Sequence, residues 1–255
     1  MGAMAGVSIA SDLARALDPV LLAEQVNIVP DPWQAEVLRS TASRLLLDCS
    51  RQAGKSTITS ILAVHTALYS ANSLVLLLSP SLRQSGEIFK KCLATYKDLG
   101  RPVPPESETA LTLTLENGSR IVSLPGGKEA TIRGYSGVNL LVIDEAAFVS
   151  DGLYKAVRPM LAVSGGRLVA LSTPYGTRGW FYGAWTGSEV WERYEVPATM
   201  VPRITSAFLD EERRTMGEWD FQQEYMCMFS ETATQVFRRE DIEDAFREDT
   251  EAWNI

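Results

Sequence analysis

The run Cys49-Ser50-Arg51-Gln52-Ala53-Gly54-Lys55-Ser56 carries the residue types needed to hold a polyphosphate. An apolar stretch, Leu45-Leu46-Leu47, precedes it, and a helical pattern from Ser56 to Leu68 follows. The spacing predicts a strand, a tight loop and a helix start. Amide groups at a helix N-terminus point outward and carry the positive end of the helix dipole. Loop amides add a concave nest for the anion. Lys55 would neutralise the β- and γ-phosphates of ATP, and the Ser56 hydroxyl would bind Mg²⁺. Gln52, Ala53, Gly54 and Thr57 complete this set of expected ATP contacts. The usual phosphate loop opens on Gly, where this chain has Cys49.

A second constellation follows at a suitable distance. In Leu140-Leu141-Val142-Ile143-Asp144-Glu145, four apolar residues run into two carboxylates. An unbroken apolar run suits a strand covered on both faces, as in a parallel sheet. Open α/β sheets bind ligands at the C-terminal ends of such strands. Asp144 would hold Mg²⁺ with Ser56, and Glu145 would orient and deprotonate an attacking water. Alone, Asp-Glu after a strand reads better as an N-cap pair opening a helix. With Lys55 and Ser56 it reads as the acidic half of a nucleotide site.

Several further side chains could serve that site. Arg51 is a long cation inside the loop, within reach of phosphates. Arg133, in Thr131-Ile132-Arg133-Gly134, is either a surface arginine or a source of transition-state charge, in cis or from a neighbouring subunit. Ser172 and Thr173 close a strand before Pro174, Tyr175 and Gly176. They either sense the γ-phosphate and Glu145 or simply enter a turn. Trp33 and Gln34 follow Pro32; a Gln amide matches the adenine edge, and an amphipathic surface helix with Trp33 packed inward fits as well.

The elements that must position these groups alternate. Asp18-Pro19 and Asp31-Pro32 read as N-caps followed by Pro, opening helices at 19–26 and 32–40. Strands are expected at 45–49, 74–79, 140–144, 167–172 and 191–196, with a long helix at 81–99 closed by Gly100. Asn117-Gly118 predicts a hairpin between 111–115 and 120–124, and 154–161 reads as helical. This alternation predicts a mostly parallel sheet flanked by helices. After Pro197 the pattern changes to helices at 206–216 and 218–228. The expected division is a core over 1–196, a helical lid over 197–235 and a linker over 236–255, whose charged part at 238–251 reads as a further helix or a frayed end.

Composition narrows the classes. The chain has 255 residues, 45% of them hydrophobic, enough for one large or two modest domains. No stretch has the ~20 apolar residues of a membrane helix, and the N-terminus lacks the pattern of a signal peptide. Cys49, Cys92 and Cys227 are far apart and His65 is the only histidine, which argues against structural zinc and fits a reducing cytosol. The net charge of −8 weighs against strong DNA binding by the chain alone. Any such contact must be local; Arg120 on the hairpin and Lys128 after Gly126-Gly127 are the loop cations to test, unless they are solvated surface charges.

With these residues in place, the chain resembles the ATPase domain of the large terminase subunit of tailed bacteriophages. Ser50 to Ser56 is similar to that family's variant Walker A, which also lacks the leading glycine. Val142 to Ala147 resembles its Walker B with adjoining glutamate, Ser172-Thr173-Pro174 with Gly176 its coupling motif, and Pro32-Trp33-Gln34 its adenine motif. Arg133 stands where the family has an arginine finger, and Phe221-Gln222-Gln223-Glu224-Tyr225 resembles the end of its lid. The resemblance implies a RecA-like ATPase fold of the additional-strand, catalytic-glutamate type. It implies a motor that moves double-stranded DNA into a procapsid, with a portal protein and a small terminase subunit as partners. It further implies a pentameric ring when assembled, with a monomer as the alternative for the isolated chain. The location implied is the host cytoplasm at the procapsid portal, away from membranes. No nuclease activity is expected, because the family's nuclease domain would start around Val236-Phe237 and the residues that follow are too few to form it. Two rival readings stay open: one half of a superfamily-2-like helicase or translocase, and a nucleotide-gated assembly module with little turnover.

Overall fold

The computed structural model describes residues 8–126, 132 and 134–230. Three helices come first: α1 (Ile9–Leu17), α2 (Pro19–Gln25) and α3 (Pro32–Arg39). The expected caps form at α2 and α3. The Asp18 carboxylate accepts from Val20 N at 3.0 Å, and Asp31 and Gln34 cap each other's backbone at α3. Next come β1 (Arg44–Cys49), α4 (Lys55–Tyr69), β2 (Leu74–Ser79) and α5 (Leu82–Asp98). Then β3 (Pro105–Glu108), β4 (Thr112–Leu115), β5 (Arg120–Pro125) and β6 (Leu140–Asp144) follow, and later β7 (Arg167–Ser172) and β8 (Glu192–Val196).

All eight strands form one sheet in the order β3-β4-β5-β2-β6-β7-β1-β8. From β5 to β8 every pairing is parallel, while β4 runs antiparallel to both β3 and β5. The predicted hairpin is β4–β5, turning at Asn117 and Gly118. The loop strand β1 and the acid strand β6 are not neighbours, because β7 lies between them and pairs with both. The strand that ends in Ser172 is thus the shared wall of the two motifs.

Every residue of β2 and β6 is buried, as both faces are covered. Alternate residues serve opposite cores. Leu45, Leu47, Val75, Leu77, Val142 and Val169 face Ile58, Ile61, Phe89 and Tyr96 of α4 and α5. Leu46, Leu76, Leu141, Ile143 and Ala170 face the helices Asp151–Val157 and Gly179–Thr186, through Leu153, Tyr154, Val157, Trp180 and Phe181. On that second side Tyr154 and Trp180 stack with centroids 3.9 Å apart. The predicted helix at 154–161 begins earlier, at Asp151, and its last turn, Arg158–Leu161, tightens to 3₁₀ geometry. Helices Ser206–Met216 and Glu218–Met226 carry a small core of their own around Leu209, Phe221 and Tyr225. Three elements were not foreseen: α1, β3 and the helix Gly179–Thr186. The expected charged helix at 238–251 lies outside the described residues.

The β4–β5 turn is tied down from both sides. Asn117 donates its side-chain amide to Ala67 O at 2.9 Å, and Gly118 has φ +81°. A Cβ on Gly118 would stand 2.2 Å from Asn72 Oδ1. The left-handed backbone alone costs an L-residue roughly 1–2 kcal/mol. Gly118→Ala should therefore lower unfolding stability by at least that amount in a denaturant titration, with nucleotide binding retained in the folded fraction.

Candidate active site

The cleft lies at the C-terminal ends of the parallel strands. Gly54, with φ +93°, turns the chain into α4, and Gln52 is also left-handed at φ +57°. Ser50 N donates to Val196 O at 2.9 Å, so β8 braces the start of the loop. Lys55 is nearly buried, and its ammonium donates to Cys49 O at 3.0 Å, Ser50 O at 3.2 Å and Thr173 Oγ1 at 3.0 Å. The loop lysine thus joins the ends of β1 and β7. Arg51, Gln52, Ala53, Gly54, Lys55 and Ser56 line a cleft of about 660 Å³ together with Glu145 and Thr173. That volume falls within the ~300–1,000 Å³ usual for a small-molecule site.

Across the cleft, Asp144 ends β6, and Glu145 has φ +50° and ψ 47°. A non-glycine residue uncommonly adopts this region, and such residues cluster at functional sites. An adjoining compartment brings Ser56 together with Asp144 and Glu145. Ser56 and Asp144 are hard oxygen donors on one wall. Mg²⁺ commonly takes one or two carboxylates and completes its shell with phosphate oxygens and water. No group of three or more His, Cys, Asp or Glu side chains forms a metal cluster among the described residues. The donor set therefore fits a cation brought with a polyphosphate rather than a caged one.

The remaining expected residues separate into groups. Thr173 reaches the cleft, whereas Ser172 is fully buried and its hydroxyl has no partner. Trp33 is buried in the core, and Gln34 is buried beside the loop, so neither lines the cleft. Both ends of the Gln34 amide are engaged: Oε1 accepts from Asp31 N at 2.9 Å and Nε2 donates to Ala53 O at 3.2 Å. In this structure Gln34 supports the loop from behind. Thr57 lies on α4 outside the cleft lining. Arg120 starts β5 and so sits at the N-terminal end of the parallel strands, the end opposite the cleft. Arg133 and Lys128 lie outside the described residues.

The sequence did not single out four groups at the site. Gln84 and Lys91 of α5 and Phe148 after Glu145 line the cleft, and Arg203 donates to Asp31 Oδ1 at 2.9 Å and Ala53 O at 3.4 Å. A Ser81-x-x-Gln84 cap at the C-terminal end of a buried strand was the available signal for the first of these. Glu224 acquires a specific role: its carboxylate accepts from Arg51 Nε at 2.6 Å, and its carbonyl accepts from Arg51 N at 2.9 Å. The helix Glu218–Met226 is thereby fastened to the loop.

Asp48, just before Cys49, is fully buried, and neither carboxylate oxygen has a hydrogen-bond partner. Its register neighbours are Ser172 and Glu195. Burial, reinforced by the charge of Glu195 and opposed by Lys55, pushes its pKa up to about 8. Asp144 is pushed to about 6 by burial and then Glu145, again opposed by Lys55.

Comparison with known proteins gives a consistent set of relatives. A family model described as terminase large subunit, T4likevirus-type, N-terminal, matches residues 46–244. The large terminase subunit of Thermus phage G20c is 27% identical over 177 residues, 62% of this chain and 36% of that protein. That of Escherichia phage T5 is 26% identical over 227 residues, 84% of this chain and 51% of its own. The chain therefore spans about a third to a half of the length of these curated relatives. The solved ATPase domain of the Thermus phage P74-26 large terminase superposes with a TM-score of 0.73 at 22% identity, covering 82% of this chain and 97% of that one. The large terminase of another thermophilic bacteriophage, solved in complex with ATP-gamma-S, gives 0.63 at 14%, covering 78% and 52%. These structural likenesses establish the fold expected from the alternating elements.

Both raised carboxyls make the folded chain bind more protons than the unfolded chain between about pH 4 and about pH 8. Stability is then greatest at the acid end of this window and falls as pH rises through it. For the nucleotide-free protein, Tm should fall from about pH 5 to about pH 8. Asp48→Asn should flatten that slope, gaining most at the alkaline end. An unchanged slope in the variant would remove Asp48 as its source.

Proposed function

The chain belongs to the T4likevirus-type terminase large subunit N-terminal family, and from that premise we propose that it is an ATP-hydrolysing motor domain driving double-stranded DNA into a procapsid. One observation carries the reading: Lys55, Ser56 and Thr173 share a cleft with Glu145, and Ser56 with Asp144.

The chemistry is in-line attack of water on the γ-phosphorus, giving ADP and phosphate. The loop amides and Lys55 take the β- and γ-phosphate oxygens, the ammonium exchanging its carbonyl partners for phosphate. Ser56 and Asp144 would hold Mg²⁺, which would supply charge neutralisation for the bound triphosphate. Glu145 orients the water and accepts its proton. Its left-handed backbone sets the direction in which the side chain leaves the main chain. Little covalent work is left to the protein; positioning and charge stabilisation dominate phosphoryl transfer. Arg51 is one candidate for balancing transition-state charge, and Arg133 is the other, in cis or across a subunit interface.

Coupling follows from the contacts of the loop. Loss of the γ-phosphate alters what Lys55 and Thr173 touch, and so the ends of β1 and β7. Arg51 and Glu224 would pass that change to the helical segment, which we assign as a lid over 197–235 on the core. Double-stranded DNA, a portal protein, a small terminase subunit and a pentameric ring at the procapsid complete the proposed setting.

Glu145→Gln should still bind an ATP analogue with affinity near that of the wild type while turnover falls about 10²–10⁴-fold, the usual worth of a positioned base. Full turnover in that variant would discard the assignment. Glu224→Gln keeps the fold but frees Arg51; basal hydrolysis should persist while stimulation by DNA and portal is reduced. If hydrolysis uses an arginine in trans, specific activity rises with protein concentration; a flat response places that cation in cis.

A further inference from the structure

Two adjoining compartments make up the cleft. The phosphate loop, Thr173 and Glu224 line one, and Ser81, Glu87, Ile88 and Asp144 line the other. Ser56, Gln84, Lys91 and Glu145 line both. The first and last of these already have roles as hydroxyl donor and base. The other two stand at the same junction and come from α5, an element that carries no nucleotide motif.

The local structure of α5 explains how they arrive there. Ser81 caps the helix, accepting from Gln84 N at 3.3 Å and donating its hydroxyl to Gln84 Oε1 at 2.7 Å. This tether anchors the Gln84 side chain through its oxygen and leaves its NH₂ group as a donor. Gln84, Ile88 and Lys91 follow the i, i+4, i+7 spacing that places them on one face. Buried Ile88 fixes that face, while Phe89 and Cys92 secure the helix in the core. The two adjacent lysines have different surroundings. Lys90 is held by Glu87 at 2.9 Å and does not line the cleft. Lys91 lines both compartments and makes no ion pair among the described residues.

We propose that Lys91 is a second catalytic cation, contacting the γ-phosphoryl group from the side opposite Lys55, and that Gln84 holds the attacking water toward Glu145. The inference rests on the ATPase reading above and adds no chemical step to it. In phosphoryl transfer, charge spreads over three equatorial oxygens. Lys55 and the loop amides approach these from one side only. A cation on the facing wall supplies a donor where charge develops and so lowers the barrier more than it tightens binding.

The test compares Lys91→Ala, Lys91→Arg, Gln84→Ala and Lys90→Ala in the purified chain. Steady-state ATPase, ADP affinity, affinity for ADP with aluminium fluoride, and Tm are the readouts. Lys91→Ala should lose ~100-fold in kcat with KM, ADP affinity and Tm unchanged, and should bind the fluoride complex more weakly. Lys91→Arg should recover part of the rate, Gln84→Ala should lose ~10-fold, and Lys90→Ala should match the wild type. Wild-type turnover in Lys91→Ala, a rise in KM alone, or loss of only DNA-stimulated activity would each overturn the proposal and leave the ATPase reading intact. A wild-type chain that binds no nucleotide would overturn both.

Discussion

The ammonium of Lys55 holds the site together. Its partners are the carbonyls of Cys49 and Ser50 at the end of β1 and the hydroxyl of Thr173 just past β7. It is almost fully buried, so its charge requires close polar neighbours. Those neighbours fix the loop's path and connect two strands that no side chain would otherwise tie at that height. A phosphate would offer the same ammonium a stronger, charged partner. Any ligand that takes it must change the forces on both strand ends. The contact that orders the loop is thus also the one that a nucleotide would perturb.

Sheet order makes that perturbation useful. Because β7 lies between β1 and β6, Thr173 is flanked by the phosphate loop on one side and by Asp144 and Glu145 on the other. Two of the six left-handed non-glycine residues among the described residues lie on this rim. Gln52 and Glu145 both adopt left-handed conformations, each costing on the order of 1–3 kcal/mol, and the rigid buried strands beneath them can bear this. Flexible connections there would relax the strain and lose the aim of Glu145.

What the sequence revealed depended on how each segment is stabilised. The strands 74–79, 140–144 and 167–172 match their predicted limits because unbroken apolar runs suit burial on both faces. The caps at Asp18 and Asp31 were legible because they are local hydrogen bonds. β3 was not, since Pro105-Glu106-Ser107-Glu108 is polar and largely exposed, and only the ladder to β4 makes it a strand. The helix Gly179–Thr186 was missed because its glycines and aromatics disfavour a helix locally; Trp180 against Tyr154 and Val149 O overrides that preference. At the site, the motif residues were legible and their neighbours were not. The sequence motif placed Gln34 near the loop, while its role was decided by Asp31 and Ala53, which take up all the hydrogen bonding its amide has in this structure. Lys91 carries no motif at all; its place in both compartments of the cleft, and the pairing of Lys90 with Glu87, distinguish the two lysines only in the folded chain.

Glu224 poses the remaining electrostatic question, because a carboxylate lining a phosphate cleft is unfavourable by itself. It is tolerated here because Arg51 lies 2.6 Å away and the two charges compensate each other. A triphosphate entering the cleft repels Glu224 and attracts Arg51, so it weakens this pair from both ends. The pair is exposed on the Arg51 side, where such a contact contributes ~1 kcal/mol or less, so the energetic barrier to separating it is small. The backbone bond from Arg51 N to Glu224 O does not depend on charge and can persist when the side chains part. The helix would then keep its attachment to the loop while losing its fixed angle. On the proposed reading, such a joint would turn a change in phosphate charge into a rotation of the helical segment without releasing it from the core.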